Sequence, residues 1–120
     1  MKTGKKITGG RYRKSRKKKL IEKKGQSRIV TLGKEKKKSL EIRTGKIKAV
    51  LLREDVANVF DTKTKTAKVS KILNVLEVPS NKLLARKNVL VKGAIIETEL
   101  GKARITNRPS QEASIQAILI

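Results

Sequence analysis

The chain has 120 residues, carries 32 Lys+Arg against 10 Asp+Glu, and has a formal net charge of +22. It has no His and no Cys, which excludes zinc fingers, iron–sulfur clusters, Ser-His-Asp triads, cysteine nucleophiles and disulfides. No apolar run nears the roughly 18 residues of a membrane span, and the basic start lacks the apolar stretch of a secretory signal.

The charge is uneven. Residues 1–28 hold 13 basic residues and one acid, Glu22. Their only large apolar side chains are Met1, Ile7, Tyr12, Leu20 and Ile21. Such a segment cannot bury enough surface to offset the entropy of ordering. Residues 1–28 therefore read as a basic arm, disordered alone and ordered on a partner. Residues 29–120 read as the folded body. They hold 19 of the 21 Ile and Val residues, enough for one small core.

The body is rich in β-branched residues. Residues 29–32 read as a short strand ended by Gly33, and 34–38 as a charged loop. Residues 40–43 alternate apolar and charged, as a half-buried strand does. Thr44-Gly45 is a turn signal. Residues 47–53 form the next strand, with Ile47, Ala49 and Leu51 on one face. Residues 56–60 are a short apolar run, and 61–65 a polar turn. Residues 67–78 fit either period, but their Val, Ile and Asn content and the Pro79 stop favour a strand. Residues 80–86 suit one helical turn capped by Ser80 or Asn81. Residues 89–91 read as a strand ended near Gly93. Residues 94–100 and 103–106 flank Gly101-Lys102, which reads as a tight hairpin. Arg108-Pro109-Ser110 breaks the chain, and 115–120 close it with a strand whose apolar end packs into the core. The expected fold is mainly β, a small barrel or sandwich of seven or eight short strands behind an extended arm.

Nothing in the sequence assembles a catalytic centre. Glu54-Asp55 and Glu97 with Glu99 are the close acidic pairs. Glu97 and Glu99 would share a strand face, where a solvated surface paired with Lys is the simpler reading than a metal or acid–base site. Ser70-Lys71 is a pair expected by chance among 23 lysines. The glycine-rich stretches lack the Lys-Ser/Thr ending of a phosphate-binding P-loop. The expectation is no enzyme, no cofactor, no metal and no small-molecule substrate.

A polyanion is the natural partner of such a charge. The arm's densest stretch is Arg11-Tyr12-Arg13-Lys14-Ser15-Arg16-Lys17-Lys18-Lys19. Lys offers phosphate a point charge, and Arg a planar fork that binds it bidentately or stacks on a base. Thr8-Gly9-Gly10 frees the backbone to approach phosphate closely. A charge run is ordinarily a solvated face, but here the density is extreme and the body is basic as well. The scarcity of aromatics argues against a sheet that stacks many single-stranded bases, leaving Tyr12 alone to stack one. Folded RNA, recognised through phosphate and shape, is the expected ligand. The expected contacts are Lys2, Lys5, Lys6, Thr8, Gly9, Gly10, Arg11, Tyr12, Arg13, Lys14, Arg16, Lys17, Lys18, Lys19 and Arg28. Arg104 and Arg108 follow as second candidates, with ion pairing to Glu97 or Glu99 as their alternative.

Three ordered blocks carry a family resemblance. Lys5-Lys6-Ile7-Thr8-Gly9-Gly10-Arg11, followed by Arg16-Lys17-Lys18-Lys19, is the first. The second runs from Val50-Leu51-Leu52-Arg53-Glu54-Asp55 into Val56-Ala57-Asn58-Val59. The third joins Asn88-Val89-Leu90-Val91-Lys92-Gly93-Ala94-Ile95-Ile96 to Gly101-Lys102-Ala103-Arg104-Ile105-Thr106-Asn107-Arg108-Pro109. Together they resemble the small-subunit ribosomal protein S-eight-e family, in its short archaeal form. The chain departs from that pattern in its first residues, in 20–25, and at Ser110 and Glu112. The resemblance implies a structural component of the small subunit with a barrel-like body. Its implied partners are small-subunit rRNA and neighbouring small-subunit proteins, in the cytoplasm. A biogenesis factor of the same fold bound only to precursor subunits, or a non-specific nucleic-acid-binding architectural protein, is the alternative.

Overall fold

A computed structural model describes residues 4–12, 16–23, 25 and 27–120. Its radius of gyration is 21.1 Å, against about 14 Å for a compact chain of this length. The principal extents of 70 × 35 × 26 Å make the same point, one axis being twice as long as the next.

The described residues form eight strands and one short α-helix in two sheets. The first sheet has three strands, β1 (Thr31–Leu32), β2 (Lys36–Glu41) and β3 (Ile47–Glu54), in the order β1-β3-β2. The second is a closed barrel of β4 (Val56–Asp61), β5 (Thr66–Glu77), β6 (Ile95–Thr98), β7 (Gly101–Ile105) and β8 (Gln116–Leu119). The mainly β expectation holds, but only five of the eight strands build the barrel. The barrel closes where β8 lies parallel to β4, pairing Asn58 with Gln116, Val59 with Ala117 and Phe60 with Ile118.

Period-two patterning explains the barrel. On β4, Ala57 and Val59 are buried while Asn58 and Phe60 face out. Ile96 and Thr98 on β6, Ala103 and Ile105 on β7, and Ala117 on β8 likewise point inward. Four interior positions are alanines (57, 94, 103 and 117), because a five-stranded barrel is narrow and large side chains must alternate with small ones. Val30, Leu51, Val78 and Leu90 join the same cluster from outside the barrel, so both sheets share one core.

The 61–65 turn and the helix cap form as the sequence suggests. Asp61 accepts the Lys63 N–H at 2.8 Å and the Thr64 hydroxyl at 2.8 Å, which holds the 61–65 turn with Lys65 at φ 55°. Those bonds, the Lys63 N–H first, pull the Asp61 carboxyl below its usual range. Residues 66–77 are a strand, as their β-branched content favoured. The helix α1 (Lys82–Arg86) takes Asn81 as its cap, whose side chain accepts the Leu83 N–H at 2.9 Å.

Five expectations fail for reasons of pairing. Residues 36–38 are strand rather than loop, because β2 is an edge strand held by its ladder to β3, where apolar patterning is not required. Residues 29–30 precede the two-residue β1 rather than belonging to it. Residues 89–91 form no strand. Val89 makes one isolated bridge to Thr31, the Leu90 N–H bonds the Val30 carbonyl at 2.8 Å, and the segment crosses the core between sheets. The hairpin turn is Glu99-Leu100 rather than Gly101-Lys102. Thr98 pairs with Gly101, whose φ of 125° absorbs the bend, and the Thr98 hydroxyl donates to the Gly101 carbonyl at 2.8 Å. The chain's end is not buried: Ile118 and Ile120 face outward, and only Leu119 packs on the core from 118–120.

Ile47 shares the parity of Leu51 but is exposed, because the first part of β3 extends beyond the core. At the other end of β3, burial raises the Glu54 carboxyl above its ordinary range, with the nearby Glu35 charge adding to the effect.

Candidate nucleic-acid interface

Every described residue between 4 and 28 is exposed. Their order comes from local bonds. The Lys6 N–H donates to the Gly10 carbonyl at 2.7 Å, and the Gly9 N–H donates to the Lys6 carbonyl at 2.9 Å. Gly9 sits at φ 80°, a conformation that a Cβ disfavours, so the glycine is what permits this turn. A bridge between Lys5 and Arg11 closes it. The Lys6 ammonium lies 5.6 Å from the Tyr12 ring centroid, within cation–π reach. The predicted residues Lys5, Lys6, Thr8, Gly9, Gly10, Arg11 and Tyr12 are therefore gathered in one small hairpin.

The second cluster leads into a single 3₁₀ turn at Leu20–Glu22. Glu22, the one acid of residues 1–28, organises it. Its carboxylate accepts from Arg16 at 2.6 Å and from the Lys19 N–H at 3.0 Å. Arg16 is thus ion-paired yet still 66 % exposed, while Lys17, Lys18 and Lys19 present their ammonium groups to solvent. Lys2, Arg13 and Lys14 lie outside the described residues.

Arg28 has a different place from the others. Its Nε donates to the Ser110 carbonyl at 3.1 Å, which ties the base of the arm to the loop between β7 and β8. That loop is itself stapled by Asn107. The Asn107 amide donates to Glu112 and to the Ser114 carbonyl, both at 2.7 Å, and its oxygen accepts the Gln116 N–H at 3.0 Å. Arg108 is exposed on this loop, and Arg104 is exposed on the outer face of β7. Neither pairs with Glu97 or Glu99: the two ion pairs among the described residues are Arg16–Glu22 and Lys37–Glu35. Glu97 lies opposite Lys102 instead.

Sequence reasoning named no residue on the three-stranded sheet. The structure adds Lys36, Lys37 and Lys38 along its open edge, with Lys46 and Lys48 near the hairpin tip, all exposed. Their signal in the sequence is the triple lysine, which without apolar alternation reads as a loop. Glu97 and Glu99 do not share a strand face, since Glu99 sits in the turn. Ser70 points into the barrel and Lys71 out of it, as strand neighbours must, so they form no nucleophile pair. No group of three or more metal-ligating side chains occurs among the described residues.

The arrangement is a dense, solvent-facing array of cations, joined to the barrel through the Arg28–Ser110 bond. It suits phosphate neutralisation rather than bond making. The family described as Ribosomal protein S8e matches the chain over residues 1–120. The chain belongs to that family. Among its relatives is the small ribosomal subunit protein eS8 of Methanocella arvoryzae, 46% identical over 120 residues, covering 99% of this chain and 95% of that protein. The eS8 protein of Ignicoccus hospitalis is 48% identical over 118 residues, covering 97% and 91% of the two chains. That of Nanoarchaeum equitans is 43% identical over 115 residues, covering 95% and 90%.

Proposed function

We propose that this protein is a structural constituent of the small ribosomal subunit, bound to small-subunit rRNA and to neighbouring small-subunit proteins in the cytoplasm. The whole-length match to the S8e family carries this reading. The concentration of 13 basic residues in 1–28 supports the arm as the principal rRNA contact.

In this reading residues 1–28 are disordered when free and order on rRNA. Lys5, Lys6 and Arg11 neutralise phosphates from the glycine hairpin, and Gly9 and Gly10 let the backbone come close. Arg16, Lys17, Lys18 and Lys19 extend the contact, with Lys2, Arg13 and Lys14 contributing between and before these clusters. Arg28 sets the angle at which the arm leaves the body. Each neutralised phosphate releases counterions, adding roughly 0.7 to 0.9 to the slope of log affinity against log salt. The protein performs no catalysis; it fixes the relative position of RNA segments.

The test is sedimentation of native extract through a gradient, before and after a high-salt wash, with the chain quantified by mass spectrometry. One copy per mature small subunit after the wash is the expected result. Confinement to precursor particles, or loss to the soluble pool at moderate salt, would reassign it to subunit assembly or to general polyanion binding.

A further inference from the structure

The outer face of the barrel seam combines groups that the arm lacks. Because β4 and β8 run parallel in register, Asn58 stands beside Gln116 and Phe60 beside Ile118, each pair about 4.8 Å apart across the ladder. Ala67 lies opposite Phe60 on the other side, and Arg104 lies opposite Ile118 on β7. Asn58, Phe60, Ala67, Thr106, Gln116 and Ile118 line a depression of about 340 Å³. That volume falls at the lower end of small-molecule sites, about 300–1,000 Å³. A second depression shares Thr106 and Ile118 and is lined by Arg104.

Phe60 is the chain's one phenylalanine, and it is 40% exposed. The flanking amides are open. Among the described residues Gln116 is engaged through its backbone: its N–H donates to Asn107, and its carbonyl accepts from the Thr106 N–H at 2.9 Å and hydroxyl at 3.2 Å. The Asn58 N–H donates to the Ile115 carbonyl at 2.9 Å, and its side chain bonds no other described residue. The face thus offers an aromatic surface, two carboxamides able to donate and accept, and an arginine one strand away.

We infer that this depression binds one unpaired nucleobase of an RNA, stacked on Phe60 and hydrogen-bonded by Asn58 and Gln116, with Arg104 on the adjoining phosphate. The inference rests on the RNA-binding reading above and adds a site outside the arm. A carboxamide satisfies the mixed donor–acceptor edge of a base, and an aromatic ring its π-face. The basic surroundings favour a nucleotide over a neutral ligand. An apolar protein surface fits less well, because Phe60 and Ile118 are bracketed by amides on one side and a cation on the other.

Stacking releases few counterions, so it separates cleanly from phosphate contacts. Affinity of the full chain for small-subunit rRNA would be measured across a salt series for the wild type, Phe60→Ala, Phe60→Tyr and the Asn58→Ala/Gln116→Ala double variant. Phe60→Ala is expected to weaken binding about 5- to 150-fold with the salt slope unchanged, and Phe60→Tyr to restore it. The double variant, altered at two exposed positions, is expected to weaken binding several-fold and carries the test if Phe60→Ala fails to fold. Wild-type affinity in the double variant, or in a folded Phe60→Ala, overturns the site. Failure of the arm reading is distinguishable, since it appears as an unchanged slope when arm lysines are removed. Ultraviolet cross-linking of native small subunits gives the second readout. A nucleotide adduct on the peptide containing Phe60 supports the site, whereas a protein cross-link there overturns it.

Discussion

The arm and the barrel satisfy their backbones by opposite means. In the barrel, strand ladders pair the backbone, and the interior excludes water with Ala57, Val59, Ile96, Ala103, Ile105 and Ala117. In the arm, a glycine turn and one glutamate supply the local bonds, and no described side chain is buried. The barrel's order comes from burial and persists in any solvent that supports the hydrophobic effect. The arm's like charges repel one another, which opposes any compact packing of that segment and favours an external anion as its partner. Under the proposed function the two regions divide the work, the body holding the fold by burial and the exposed cations meeting RNA.

The comparison breaks most visibly if the arm is removed. Deleting residues 1–19 is expected to lower rRNA affinity on the order of a thousandfold at physiological salt and to flatten the salt slope, with the body's melting unchanged. Filter binding across salt and a circular dichroism melt would check both halves. Little change in affinity would sink the arm reading.

The reverse experiment targets the barrel. Ile96 is fully buried, and Ile96→Ala should cost about 2–5 kcal/mol in denaturant unfolding, by lost burial and the cavity left behind. Below its melting point the variant should keep the salt slope of the wild type. Asn107→Ala comes next. It strands the Gln116 N–H and the Ser114 carbonyl at a nearly buried site, at about 1–3 kcal/mol. Because the same loop holds Arg28 through Ser110, this variant should also raise hydrogen exchange at the base of the arm.

Two smaller effects sharpen the contrast. Glu22→Gln frees Arg16 from its carboxylate and should strengthen RNA binding by roughly 1.5- to 5-fold, the scale of an exposed ion pair. A loss of affinity instead would mean that the Glu22 bonds shape the bound arm. Glu54 gives the smallest effect. Its folded-state carboxyl is raised by burial and by Glu35, so the folded protein holds that proton more tightly than the unfolded chain. The resulting penalty is absent in acid and grows as pH rises from the ordinary carboxylate range through the raised folded value. Glu54→Gln should therefore unfold with a flatter pH dependence over that window and a slight gain at neutral pH. Asp61, lowered by its turn bonds, contributes with the opposite sign and stays the same in both proteins.

Local signals were the legible part of the sequence. The Asp61 turn, the Asn81 cap and the Gly45 turn each follow from a side chain or glycine acting within a few residues. The concentration of charge in residues 1–28 was legible from composition alone, and the family from three blocks in order along the chain. The Lys36–Lys38 edge, the shift of the hairpin to Glu99-Leu100 and the lost strand at 89–91 were not. Each depends on a partner distant in sequence: β3 for the lysines, Thr98 pairing with Gly101 within a closed barrel, and Val30 and Thr31 for the crossing segment. The surroundings of Phe60, on which the proposed base site rests, are hidden in the sequence for the same reason. In the sequence it is the end of an apolar run, and only the parallel seam sets it beside Ile118 with amides below it.

Charge density, β-branched content and turn chemistry are properties of short windows, so the sequence by itself determined a strongly basic N-terminal segment, a mainly β fold and the family. Which strands close into a barrel, which lysines line an open edge, and which faces point outward are set by register between distant segments. A shift of one residue in any ladder would exchange inward for outward side chains, and only the packed tertiary structure selects among those registers.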